Sequence, residues 1–119
     1  MNIKLSDAEY EVMQILWQHG EMKASDVVSI AKQKFGWKQN TVYTFIVRLL
    51  GKGAINRIDP NYMCVPMVTK DEVQRNESET LLDKLYGGSV HLFVKSFMDS
   101  GKISDDDLIE LKKIINDKK

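Results

Sequence analysis

Val42, Phe45, Ile46, Leu49 and Leu50 recur at i, i+3, i+4, i+7 and i+8, the spacing of one face of an α-helix. Asn40, Tyr43, Thr44, Val47 and Arg48 fall on the opposite face, which carries one formal charge and several short or planar hydrogen-bonding groups. A solvated helix face usually carries Glu and Lys at that spacing. This one is suited to touching another molecule, and the edge of a base pair is a good candidate.

The same reading extends along the chain. Ser6-Asp7-Ala8-Glu9 forms a capping box that opens a first helix with Ala8, Val12, Ile15 and Leu16 inward, closed at His19-Gly20. A second helix runs from about Ala24 to Phe35 with Val27, Val28, Ile30 and Ala31 as its core side. The third runs from about Gln39 to Lys52. The period then changes. Residues 54–58 partly alternate, Asp59-Pro60-Asn61 is a turn, and residues 62–67 make a second strand, so a hairpin is expected. Pro66 cannot donate to a ladder, which puts its strand at an edge or at its end. A short strand near Met22 would complete a small sheet.

Thr69-Lys70-Asp71-Glu72 is another capping box, opening a helix to about Tyr86, and Gly87-Gly88 breaks it. Ser89 and Ser104 cap two further helices. The expected fold is mainly α with a small β-hairpin wing: a winged helix-turn-helix DNA-binding domain over 1–70, then a three-helix dimerisation domain over 71–119.

That last segment is too short to bury a sufficient core alone. Its apolar residues Leu81, Leu82, Leu85, Leu92, Phe93, Phe97, Leu108, Leu111, Ile114 and Ile115 need a partner. They either fold back on residues 1–70 or pair with a second copy. The second copy is preferred, because two half-sites give a homodimer both affinity and a palindromic target.

Composition adjusts this picture in two places. The 119 residues are 43% apolar and 29% charged with zero net charge, which alone argues against nucleic acid. Dividing the chain changes that: residues 1–70 hold nine basic and six acidic groups, and residues 71–119 hold eight and eleven. No apolar run approaches the roughly 18 residues of a membrane span, and the N-terminus has no signal-peptide core, so a cytoplasmic protein without membrane insertion is expected. Cys64 is the only cysteine. With two histidines widely spaced, it makes no metal-ligand set, and no cofactor is expected. No Gly-rich phosphate loop or nucleophile–base set is visible, so the chain is not read as an enzyme.

Thr41, Tyr43 and Thr44 lie in the first two turns of the third helix, where helix-turn-helix proteins reach base edges. Asn40 can pair with adenine N6/N7, and Thr methyls can pack on thymine methyls. Lys38 and Gln39 flank the helix N-terminus, whose free amides favour phosphate. Arg48, Lys52 and Arg57 are expected on the DNA backbone, with an intrachain ion pair the alternative for Arg48. The wing tip, Asp59-Pro60-Asn61, offers no cation, so wing contacts are expected to be minor or to come from Arg57. Trp17 and Trp37 read as core anchors.

Residues 6–17, ending in Trp17, then Trp37, Thr41-Val42-Tyr43-Thr44, Arg48-Leu49 and Lys52-Gly53 together resemble the penicillinase and methicillin-resistance repressors, the BlaI/MecI family. The likeness covers nearly the whole chain. It implies a homodimeric winged-helix repressor on a pseudo-palindromic double-stranded DNA operator, in front of resistance genes. It also implies inactivation by a cut in the C-terminal helices, driven indirectly by a membrane sensor. The matching bond here is Ser96–Phe97, with Ser96 standing where the best-known relatives have Asn. Copper-responsive members carry a C-terminal cysteine cluster, which this chain lacks. Two rival readings remain: a winged-helix regulator with a small ligand among the C-terminal helices, and a winged-helix protein-interaction module without a DNA role.

Overall fold

The computed structural model describes residues 3–118; residues 1, 2 and 119, which fall inside the expected domain limits, lie outside the described residues. Along the chain run α1 (Asp7–His19), β1 (Met22–Lys23), α2 (Ala24–Phe35), α3 (Gln39–Lys52), β2 (Ile55–Ile58), β3 (Met63–Pro66), α4 (Lys70–Tyr86), α5 (Val90–Asp99) and α6 (Asp105–Asp117). The chain divides into two compact units, one ending at Glu77 and the other beginning at Ser78, so the division falls within α4.

Local chemistry accounts for most helix starts. The Ser6 hydroxyl accepts from the Glu9 amide at 3.2 Å, and the Ser6 amide donates back to Glu9 Oε1 at 3.0 Å. Thr69 with Glu72 and Ser104 with Asp107 repeat the arrangement, and Ser89 accepts from the Leu92 amide. Each such cap supplies a partner to an amide that the helix cannot satisfy itself, a contribution of about 1 kcal/mol.

The first unit holds the core. Val12, Met13, Ile15 and Leu16 of α1, Val27 and Ala31 of α2, and Val42, Ile46 and Leu49 of α3 are buried, with Ile55, Cys64, Val68 and Val73 closing the cluster. Phe45 and Leu50, placed on the same stripe of α3 by spacing, are half-buried against it. Trp17 and Trp37 both pack on this core. The Trp17 indole N–H donates to the Val68 carbonyl at 2.9 Å, and Trp37 lies between Phe35 and Phe45.

The sheet order is β1-β3-β2, antiparallel throughout. The strand containing Pro66 is therefore the central one and not an edge. Proline is tolerated because it is the last residue of β3: β1 pairs only with Met63 and Cys64, and Pro66 faces Ile55 alone. The two-residue β1 is held further by the Ala24 amide, which donates to the Tyr62 carbonyl at 2.9 Å.

In the second unit, α5 and α6 bury no residue. Leu81, Leu85, Leu92, Phe97, Leu111, Ile114 and Ile115 are all exposed in the single chain, while Leu82, Phe93 and Leu108 are half-buried. No helix among the described residues is long and apolar enough to cross a membrane.

One charged side chain sits within the core region: Glu9, 2% exposed. Its carboxylate accepts from the Lys52 ammonium, which also donates to the Lys4 carbonyl at 2.8 Å. Burial pushes the Glu9 carboxyl up, but the Lys52 ammonium and the Ser6 amide outweigh it and hold it below its usual value. The end of α3 is thus tied to the start of α1 by a contact spanning 43 residues of sequence. Lys52→Ala should lower unfolding stability by about 1–2 kcal/mol, the modest end of the range because Lys52 is partly open to water. A folded carboxyl that binds its proton less tightly than the unfolded one stabilises fully above the usual carboxylate pKa. That contribution is lost as pH falls through the lowered folded value. Denaturant melts of the parent and Lys52→Ala from pH 7 to pH 3 should therefore converge in acid; a gap that stays constant with pH would rule out the ion pair as its source.

Candidate nucleic-acid interface

The inward stripe of α3 determines what its other side can do. With Val42, Ile46 and Leu49 fully buried, the helix cannot rotate about its axis without exposing them. Asn40, Tyr43, Thr44, Val47 and Arg48 consequently line one shallow depression of about 560 Å³ on the outer surface. Asn40, Thr44, Val47 and Arg48 are exposed and Tyr43 is half-buried. Thr41 is also exposed, one step around the helix on the Arg48 side.

The chemistry offered there is mixed but coherent. The Thr44 hydroxyl donates to the Asn40 carbonyl at 2.9 Å, so its hydrogen is spent within the helix. What remains to an outside partner is its methyl group and an acceptor lone pair. The Asn40 amide offers a donor and an acceptor side by side, the pattern that matches adenine in the major groove. Val47, 58% exposed, supplies an apolar surface in the same patch. Arg48 has no ion pair among the described residues, so the intrachain alternative for it is not seen and its charge faces outward.

The start of α3 differs from the capped helices. Its N-cap is Lys38, which makes no side-chain cap hydrogen bond, and the first turn holds no acidic residue. Lys38 and Gln39 are exposed beside it. The free amides and helix dipole leave a partly positive end open to an anion.

Tyr62 joins the hairpin to this face. It sits in the turn before β3 with φ of 50°, a left-handed conformation unusual for an aromatic residue. Its ring meets Tyr43 edge-on at 5.8 Å, and the Arg57 guanidinium lies 3.7 Å over its centre. Arg57 Nε also donates to Asp59 Oδ1 at 3.0 Å. The wing and the outward face of α3 therefore meet through Tyr43 and Tyr62.

The structure thus brings together Asn40, Tyr43, Thr44 and Arg48, with Lys38, Gln39 and Thr41 around them. Lys52 stands apart, held by Glu9 and Lys4. Sequence reasoning put Val47 on the outward face without giving it a contact, and left out Tyr62. Val47 was visible on the outward face by spacing alone; Tyr62 carried no signal beyond its place after a turn. Ser96 and Phe97 are exposed neighbours on α5. The Ser96 hydroxyl accepts from Tyr86 at 3.3 Å, and Phe97 packs edge-on against Phe93 at 4.9 Å. Their shared peptide bond lies inside a helix.

Comparison with known proteins follows the same lines. The sequence profile of the penicillinase repressor family matches residues 5–117. The penicillinase repressor of Bacillus licheniformis is 26% identical over 118 residues, 98% of this chain and 92% of that one. The methicillin resistance regulatory protein MecI of Mammaliicoccus sciuri is 29% identical over 97% of this chain and 95% of its own length. Among solved structures, the DNA-binding domain of the repressor BlaI superposes with a TM-score of 0.56 at 27% identity, covering 60% of this chain and 90% of that one. The Bacillus licheniformis BlaI monomeric form in complex with the blaP half-operator superposes at 0.53 with the same identity and coverage.

The geometry separates two cations that sequence alone placed together. Arg48→Ala should weaken duplex binding about equally on any sequence and make the salt dependence shallower by about 0.9 in log–log slope per bound protomer. Lys52→Ala should leave that slope unchanged. Titrations across a salt series would contradict the assignment if the two variants behaved alike.

Proposed function

The chain belongs to the penicillinase repressor family, and we propose that it is a homodimeric transcriptional repressor reading a pseudo-palindromic operator through residues 39–52. The observation that carries this reading is the outward face of α3. It presents Asn40, Tyr43, Thr44, Val47 and Arg48 on one surface beside an uncapped helix N-terminus. Base edges are met by Asn40, Thr41, Tyr43 and Thr44. Phosphates are met by Lys38, Gln39, Arg48 and the α3 amides.

The second unit supports pairing. Its Leu81, Leu85, Leu92, Phe97, Leu111, Ile114 and Ile115 are large apolar groups that stay substantially exposed. Burial against a second copy fits both this surface and the need for two half-sites. One winged helix binds near the non-specific range of about 10⁻⁴–10⁻⁶ M, whereas specific complexes reach about 10⁻⁸–10⁻¹¹ M. Loss of the dimer is then sufficient for release.

Release by proteolysis at Ser96–Phe97, downstream of a membrane sensor, is consistent with the place of Phe97 on the apolar stripe. A protease acts on extended backbone, so α5 must open locally before that bond is cut. The regulated genes are resistance or stress genes, by analogy with the relatives' names.

Footprinting of the full chain on the DNA upstream of its own coding sequence tests the reading. The expected result is a protected pseudo-palindrome with half-sites about one helical turn apart. The double variant Asn40→Ala, Thr44→Ala should lose at least tenfold in operator affinity while keeping its weak binding to unrelated duplex. Absence of any protected site, or a double variant that binds the operator as the parent does, would sink it.

A further inference from the structure

Arg57 is the only Lys or Arg between Lys52 and Lys70, and Asp59 is the only Asp or Glu between Asp26 and Asp71. These two lone charges are bound to each other, Arg57 Nε to Asp59 Oδ1 at 3.0 Å. The guanidinium is gripped from a second side by the Tyr62 ring, 3.7 Å from its centre. Tyr62 in turn rests on Tyr43 of the α3 face. The hairpin's one cation is therefore beside the candidate interface, positioned by an aromatic platform, and already occupied by an anion of the same chain.

A guanidinium recognises carboxylate and phosphate with the same fork of N–H donors. A carboxylate on Arg57 and a DNA phosphate on Arg57 are alternatives for one donor set. We propose that Asp59 is an intramolecular stand-in for phosphate: it withholds Arg57 from the DNA backbone and so caps the affinity of each protomer. This rests on the DNA reading above. The wing then releases no counterion on binding, because Arg57 stays with Asp59 and neutralises no phosphate. Operator affinity is left to α3 and to the pairing of two chains, which keeps bound repressor sensitive to the loss of its partner.

The test is Asp59→Asn in the full chain, with Arg57→Ala and the Arg57→Ala, Asp59→Asn double variant beside it. Asp59 is exposed and its recorded partner is Arg57, so the substitution leaves the core untouched; thermal melts verify the fold. Binding to the operator and to an unrelated duplex is measured across a salt series. Freeing Arg57 should steepen the log–log salt slope by about 0.9 per bound protomer. The advantage of Asp59→Asn over the parent should therefore shrink by about threefold per protomer between 50 and 200 mM salt. Phosphate contact carries no sequence information, so both duplexes should gain by the same factor. In the Arg57→Ala background the Asp59→Asn gain should shrink to relief of repulsion from one exposed carboxylate, well below the gain made with Arg57 present. An unchanged slope in a parent chain that does bind DNA would overturn this inference alone. So would an equal gain with and without Arg57, which would make Asp59 a simple repulsive charge. A parent chain that binds no duplex overturns the DNA reading and this inference with it.

Discussion

The complete burial of Val42, Ile46 and Leu49 is the constraint on which the rest of this structure depends. Each contributes about 1.5–3 kcal/mol by leaving water, and together they set the rotation of α3 about its own axis. Both ends of the helix are then held. Trp37, sandwiched by Phe35 and Phe45, steadies the entry. The Glu9–Lys52 pair holds the exit against α1. The outer face needs no further support to be presented in one geometry, which is what a reader of base edges requires, since a misplaced donor loses its partner.

The two units differ in chemistry. The first has a dry core, an aromatic link between wing and α3, and near-balanced charge, ten basic groups against nine acidic. The second is also near balance, eight acidic groups against seven basic, and carries a set of large apolar side chains left exposed. Zero net charge overall is the sum of these two characters. This suits the proposed reading, in which grip comes from doubling a weak, specific contact and not from long-range charge.

Features made by neighbours in sequence were legible in the sequence. The Ser6, Thr69, Ser89 and Ser104 caps, the glycine ending α1, and the inward stripe of α3 all follow from groups within a turn or two of each other. What escaped depends on distant partners. Lys52 read as a phosphate cation because Glu9 lies 43 residues away, and Glu9 itself read only as a cap. Pro66 left open an edge strand or a strand end, and only the pairing of β1 decides for the end of a central strand. Tyr62 escaped because its left-handed backbone and its contact with Tyr43 are set by the folded hairpin. The outward face of α3 needed only periodicity, so the larger part of the candidate site could be named without coordinates.

On the proposed reading, binding strength comes from two α3 faces held together by the second unit. The most direct test is the stoichiometry and protomer-concentration dependence of binding to a full pseudo-palindrome compared with a single half-site. Two chains should occupy the full site, bound at least a hundredfold more tightly than one chain on the half-site. This advantage should disappear when the chain is diluted below its dimer dissociation constant. One chain per full site, with half-site and full-site affinities equal, would contradict that reading.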